Sequence, residues 1–168
     1  RTANSVDELA KDLTERLGAL ARAHDLTLPD LSDANDVAPA TTSVTALLNA
    51  IVAPHDHDQS SRISITGPDV AISGTTLTSF ALLMHEFTTN AAKYGALSTR
   101  EGRLSIIVER IDDDLHIHWR EETSVPRVRS SDREGFGKTL ERSVLRSLQG
   151  TLHREWADTG LSMSLILP

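Results

Sequence analysis

Val6, Leu9, Leu13, Leu17 and Leu20 recur every three or four positions, which places them on one stripe of a helix. Ser5-Val6-Asp7-Glu8 opens that helix as a capping box, and the pattern predicts that it continues to about Leu26. Pro29 to Thr42, rich in Asp, Ala, Pro and Thr, reads as a linker. A second helix is expected over Ser43 to Ala53, with Val44, Leu47, Leu48 and Ile51 on one face. Arg62-Ile63-Ser64-Ile65-Thr66 alternates as a strand does and is ended by Gly67-Pro68, with Val70 to Ile72 as a short return strand. A long helix then fits Thr75 to Tyr94 and stops at Gly95.

Leu104, Ile106 and Val108 alternate with polar residues, as do Leu115, Ile117 and Trp119 beyond the polar turn Asp112-Asp113-Asp114, so a hairpin is predicted. Thr123 to Glu134 has no period and reads as a loop. Gly137 to Leu148 is expected to be helical, and Leu152 to Trp156 with Leu161 to Leu167 forms a last hairpin across Asp158-Thr159-Gly160. This order predicts an α+β fold. Helices cover one face of a mixed, mostly antiparallel sheet in a two-layer sandwich, with the N-terminal helix added.

Charge narrows the choice of partner. The chain holds 24 acidic and 17 basic residues and carries a net charge of -7, which disfavours a nucleic-acid backbone. The same field opposes any polyanion, so a nucleotide site here must bring its own local positive charge, dipoles or metal ion. The absence of cysteine excludes disulfides and thiolate metal sites and fits a reducing compartment. Apolar runs such as Phe80 to Met84 are too short to span a bilayer, so no membrane contact and a cytoplasmic location are expected. The chain opens on Arg1 rather than Met, which suggests that the native N-terminus lies further upstream.

The segment from His85 to Leu97 carries the most chemistry. On a helix, Glu86, Asn90 and Lys93 or Tyr94 are three or four residues apart and share a face, while Leu82, Phe87 and Ala91 form the opposite, core stripe. A carboxylate, an amide oxygen and an ammonium on one stripe can hold a hydrated Mg²⁺ and a phosphate chain, since Mg²⁺ needs few protein oxygens. A polar stripe on an amphipathic helix is also simply what a solvated face looks like.

The motifs that follow resolve that ambiguity. His85-Glu86-Phe87, then Asn90-Ala91 and Lys93-Tyr94-Gly95-Ala96-Leu97, resembles the N-box of the HWE histidine kinases, a branch of the GHKL ATP-binding superfamily. Phe87 stands where that family has Leu. Trp119-Arg120-Glu121 supplies the family's Trp-x-Glu pair at a strand end, and Gly135-Phe136-Gly137 resembles the turn that closes its lid and opens a helix. The resemblance runs from about Glu8 to the end, because Leu20 to Leu26 looks like the family's second dimerisation-helix region. The chain departs from the family after Glu121, where a pair of glycines is replaced by Glu122-Thr123-Ser124-Val125-Pro126.

The resemblance implies a GHKL (Bergerat) fold that binds ATP and Mg²⁺. Asn90 would coordinate the metal and Glu86 would orient a water or assist proton removal from the acceptor. Lys93 would bring charge to the phosphates, with Tyr94 beside it, and Glu121 would accept a hydrogen bond from the adenine amino group. Gly135, Phe136 and Gly137 would line the phosphates, where glycines let the backbone approach and the helix offers its N-terminal amides. Residues 1–30 would be a remnant of the dimerisation and phosphotransfer region, and residues 31–168 the catalytic domain. The intact protein would be a homodimer that passes the phosphoryl group to a response regulator receiver domain. The acceptor histidine would lie upstream, so this chain would bind nucleotide without labelling itself.

Other features have plainer readings. His24 matches the second dimerisation helix rather than the first and reads as a packing histidine. His55-Asp56-His57-Asp58 lacks a helical i, i+4 His pair and reads as a solvated loop. Two rival functions share the fold: a non-catalytic module that binds a response regulator or partner kinase, and an anti-sigma serine kinase. The missing glycines after Glu121 favour the first slightly, while Asn90, Glu86 and the Gly135-Phe136-Gly137 turn argue against it. The N-terminal helix and the Trp-x-Glu strand point away from the second.

Overall fold

Five strands build the main sheet of the computed structural model, which describes residues 10, 14, 17–18, 21, 41–56, 62–123 and 136–168. Two short strands, β1 (Thr41–Ser43) and β3 (Ala71–Ser73), pair antiparallel beside it. The main sheet has the order β2-β4-β5-β7-β6, with β2 (Ile63–Thr66), β4 (Arg103–Ile111), β5 (Asp114–Glu122), β6 (Thr151–Ala157) and β7 (Gly160–Leu167). β2 runs parallel to β4, with Ile63 opposite Leu104, and every other neighbour is antiparallel. The three helices are α1 (Val44–Val52), α2 (Gly74–Tyr94) and α3 (Phe136–Ser147).

The period of two along the strands decides which face is covered. Leu104, Ile106, Val108, Ile117, Trp119, Leu161, Met163, Leu165 and Leu167 are buried on the helix side. Ser105, Arg120 and Ser162 lie across the open face, where His118 pairs with Glu109 at 3.1 Å. α1 contributes Val44, Leu47, Leu48 and Ile51, each fully buried, and Ser43 caps it by accepting from the Ala46 amide. α2 buries Phe80, Ala81, Leu83, Met84, Phe87 and Ala91, while Leu82 is only half-buried on its polar side. The α+β sandwich with a mixed, mostly antiparallel sheet expected from the sequence is the fold observed.

Two expectations change. Residues 70–72 were expected to return along the strand before them, yet Ala71–Ser73 pairs with Thr41–Ser43 from the predicted linker. β2 instead reaches β4 through the long α2 crossover, a pairing that a turn-like Gly67-Pro68 cannot announce. α2 does end before Gly95, but with extended backbone (φ -113°) rather than the left-handed cap that glycine commonly supplies.

Of the N-terminal segment, Ala10, Thr14, Leu17, Gly18 and Ala21 are described, and all are helical. Leu17 of the expected apolar stripe is exposed, and Thr14 Oγ1 donates back to the Ala10 carbonyl at 2.8 Å. The capping box, Leu9, Leu13, Leu20, His24, His57 and Asp58 lie outside the described residues.

Candidate functional site

The polar stripe of α2 forms as its spacing predicts. Glu86 is half-buried, Asn90 and Lys93 are exposed, and Tyr94 projects outward at the helix end. Lys93 also lies in the last turn, where a cation complements the negative end of the helix dipole. His85 turns the other way and is buried.

The start of α3 comes directly against this stripe. A Cβ on Gly137 would lie 3.3 Å from Glu86 Oε2, so the missing side chain lets the α3 backbone close on the carboxylate. The first turn of a helix leaves amide N–H groups without intrahelical partners and carries partial positive charge. A carboxylate, an exposed amide oxygen, an ammonium and a helix N-terminus thus lie along one edge of the helix layer. Gly135 falls outside the described residues, as does the side chain of Phe136.

Glu121 lies deeper than a residue at a strand end usually does, with 4% of its surface exposed. Its Oε2 accepts from the Ala96 amide at 2.9 Å and its Oε1 accepts from Trp119 Nε1 at 3.1 Å. Trp119 is itself a core residue, meeting Phe87 of α2 edge-on with centroids 5.9 Å apart and an interplanar angle of 72°. Trp119 and Glu121 together pin the turn after α2 to the sheet.

Glycines allow close backbone approach on both sides of this clamp, at the turn and at β5. A Cβ on Gly102 would overlap the Ala96 carbonyl, and one on Gly160 would overlap the Glu121 carbonyl. Both positions require close backbone approach, a role that only glycine fills.

Arg154 and Glu141 were missed at the sequence level. Arg154 occupies the inward slot of β6 between Leu152 and Trp156, an apolar position held by a cation, and that anomaly was its only signal. Among the described residues, no group of three or more His, Asp or Glu gathers to form a metal cage. His55 ends a single 3-10 turn with Asp56 next to it, and both are half-buried rather than fully solvated. A shallow concavity of about 470 Å³ lies at the strand ends around Arg103, Arg120, Glu121, Gly160 and Ser162, so Glu121 is a predicted site residue that lines it. None of the predicted groups of α2 or α3 lines it.

Comparison with known proteins defines first the class. The fold matches the histidine kinase domain of a blue-light-activated histidine kinase from Erythrobacter litoralis at a TM-score of 0.73. That match has 18% identity and covers 93% of this chain and 74% of that one. It also matches the ATP binding domain of PrrB from Mycobacterium tuberculosis at a TM-score of 0.57, with 19% identity over 76% of this chain and 95% of that one. These are histidine-kinase catalytic domains in fold.

The sequence then points to the family. Residues 1–69 match the family model described as HWE histidine kinase. Blue-light-activated histidine kinase 1 of Erythrobacter litoralis is 34% identical over 170 residues, covering 100% of this chain and 46% of that protein. The chain thus resembles the HWE histidine kinases over residues 1–69 and a blue-light-activated histidine kinase over its whole length. It spans less than half the length of the curated relatives it matches.

Proposed function

We propose that this chain is the ATP-binding catalytic part of a two-component sensor histidine kinase. The observation that carries the reading is the nearness of Gly137 to Glu86, where an added Cβ would lie 3.3 Å from Glu86 Oε2, which brings the N-terminus of α3 beside the Glu86-Asn90-Lys93 stripe. Residues 1–30 belong, on this reading, to a dimerisation and phosphotransfer region, and residues 31–168 to the catalytic domain. No helix among the described residues is long and apolar enough to cross a membrane, in keeping with a cytoplasmic kinase module.

The reaction is attack of a histidine nitrogen on the γ-phosphorus, with cleavage of its bond to the bridging oxygen and departure of ADP. Catalysis of this kind is mainly positioning and charge neutralisation. The residues present fit Mg²⁺, because it is held by one or two protein oxygens with the phosphates and waters rather than by a cage. Asn90 would hold it, with Glu86 one turn away. When bound, the ion neutralises charge on the phosphate oxygens.

Lys93 adds positive charge beside the phosphates, and Tyr94 flanks them at the end of α2. Phe136 and Gly137, which open α3, would bring backbone amides to the same oxygens and so let a chain of net charge -7 hold a polyanion. Glu86 takes the proton released by the attacking histidine. Glu121 accepts from the adenine amino group. The acceptor histidine lies upstream, the working unit is a homodimer, and a response regulator receiver domain takes the phosphoryl group.

Calorimetric titration with a non-hydrolysable ATP analogue, with and without Mg²⁺, tests this reading beside an Asn90→Ala variant. Mg²⁺-dependent binding that the variant loses is the expected result. A folded chain that binds no nucleotide would overturn it in favour of a non-catalytic docking module.

A further inference from the structure

Arg154 of β6 joins all three layers of contact around the site. Its Nη1 donates to Glu141 Oε1 at 2.8 Å and its Nη2 donates to Glu141 Oε2, a bidentate pair to the middle of α3. Its Nε donates to Met163 Sδ at 3.3 Å, and its guanidinium carbon lies 5.5 Å from the centroid of the Phe87 ring on α2. The pair is largely shielded, with side-chain exposures of 29% for Arg154 and 17% for Glu141. One side chain from the sheet therefore holds both helices whose ends form the proposed phosphate site.

The topology says what this hold controls. α3 leads through a tight turn into β6, where the Gly150 amide donates to the Leu145 carbonyl, so α3 and β6 run antiparallel. Glu141 sits over Arg154, and Gly137 sits one helical turn further toward the site. Phe87 is the next residue after Glu86, the side chain that faces Gly137. The span from Arg154 to Phe87 on one side and to Glu141 on the other is thus in series with the gap between Glu86 and the N-terminus of α3.

We infer that Arg154 is a positioning residue that fixes the separation of α2 and α3, and through it the width of the nucleotide-phosphate mouth between Glu86 and Gly137. Its fork geometry is the feature that matters. A point charge such as Lys reaches Glu141 or Phe87 but does not hold both in a fixed plane. The consequence for nucleotide rests on the kinase reading, whereas the consequence for helix spacing does not.

The chain contains no cysteine, so spin labels can be placed at Thr78→Cys on α2 and Thr139→Cys on α3, both exposed positions, without removing any native thiol. Pulsed electron-electron resonance on the nucleotide-free chain reads the interhelix distance directly. Arg154→Met, which keeps the aliphatic stem, and Glu141→Gln are each expected to broaden or shift that distribution, with Arg154→Lys between them and the parent. Affinity for the Mg²⁺-ATP analogue is expected to fall about tenfold in Arg154→Met, and no further in the double variant, because the two residues act as one unit. An unchanged distance distribution in folded Arg154→Met overturns the inference, and so does a changed distribution with unchanged affinity. If the parent chain binds no nucleotide while the distances still respond, the spacing role stands and it is the kinase reading that falls.

Discussion

Trp119 and Glu121, two residues apart on β5, are bonded to each other on the helix-facing side of the sheet, with the indole Nε1 donating to Glu121 Oε1 at 3.1 Å. The other oxygen accepts the Ala96 amide at 2.9 Å, so one carboxylate ties the sheet to the turn after α2. Both donors have fixed hydrogens. An amide in place of the carboxylate must then turn its NH₂ toward one of them, whichever way it flips. Glu121→Gln is therefore expected to lose about 1–3 kcal/mol of stability, the cost of a buried donor left without an acceptor. Urea denaturation measures it, and a loss below about 0.5 kcal/mol would show that the clamp carries no weight.

Gly137→Ala separates stability from binding. Alanine is the better helix former by up to about 1 kcal/mol, so the thermal midpoint is expected to hold or rise. The new Cβ lies 3.3 Å from Glu86 Oε2 and occupies the approach to the α3 amides. Affinity for an ATP analogue is expected to fall several-fold in the same variant. A midpoint and an affinity that fall together would mean that Gly137 is needed for folding rather than for access.

Gly102→Ala tests the turn from the other side. A Cβ there overlaps the Ala96 carbonyl, which is backbone and cannot swing away. The turn must move, and with it the amide that Glu121 accepts. A loss of more than about 2 kcal/mol is expected, well above the ordinary surface substitution. Thermal unfolding that matches the parent within a degree or two would contradict this account.

Local periodicity made most of the fold legible. α2, both hairpins and α3 each repeat their pattern long enough to be read, and the Glu86-Asn90-Lys93 stripe follows from helical spacing alone. Pairings between distant segments were not legible. Thr41–Ser43 is too short to show alternation and sits among Pro, Ala and Thr, so its bond to Ala71–Ser73 left no trace in the pattern. The parallel match of Ile63 to Leu104 depends on a crossover, not on a turn. In the site, the sequence marked Trp119 and Glu121 but not that they bond to each other and to Ala96, because a contact across 25 residues has no local signature. Arg154 was visible only as a cation in an inward slot.

Phe87 is where this chain departs from the leucine of the motif it resembles, and the structure gives that ring two partners. It meets Trp119 edge-on at 5.9 Å, and the Arg154 guanidinium stands 5.5 Å from its centroid. An aromatic pair contributes about 0.5–1.5 kcal/mol beyond its buried area, and a partly shielded cation over a ring about 0.5–1 kcal/mol. Leucine is the better helix former by a few tenths of a kcal/mol, which offsets only part of this. Phe87→Leu is therefore expected to cost about 1–2 kcal/mol in urea denaturation with an unchanged slope. The substitution should also alter the emission of Trp119, read in a Trp156→Phe background because Trp156 is half exposed and would mask it. Combining it with Arg154→Met asks whether the ring and the cation act together. A double variant that loses less than the sum of the two single losses shows the coupling, whereas strict additivity would mean that the guanidinium gains nothing from the ring beneath it.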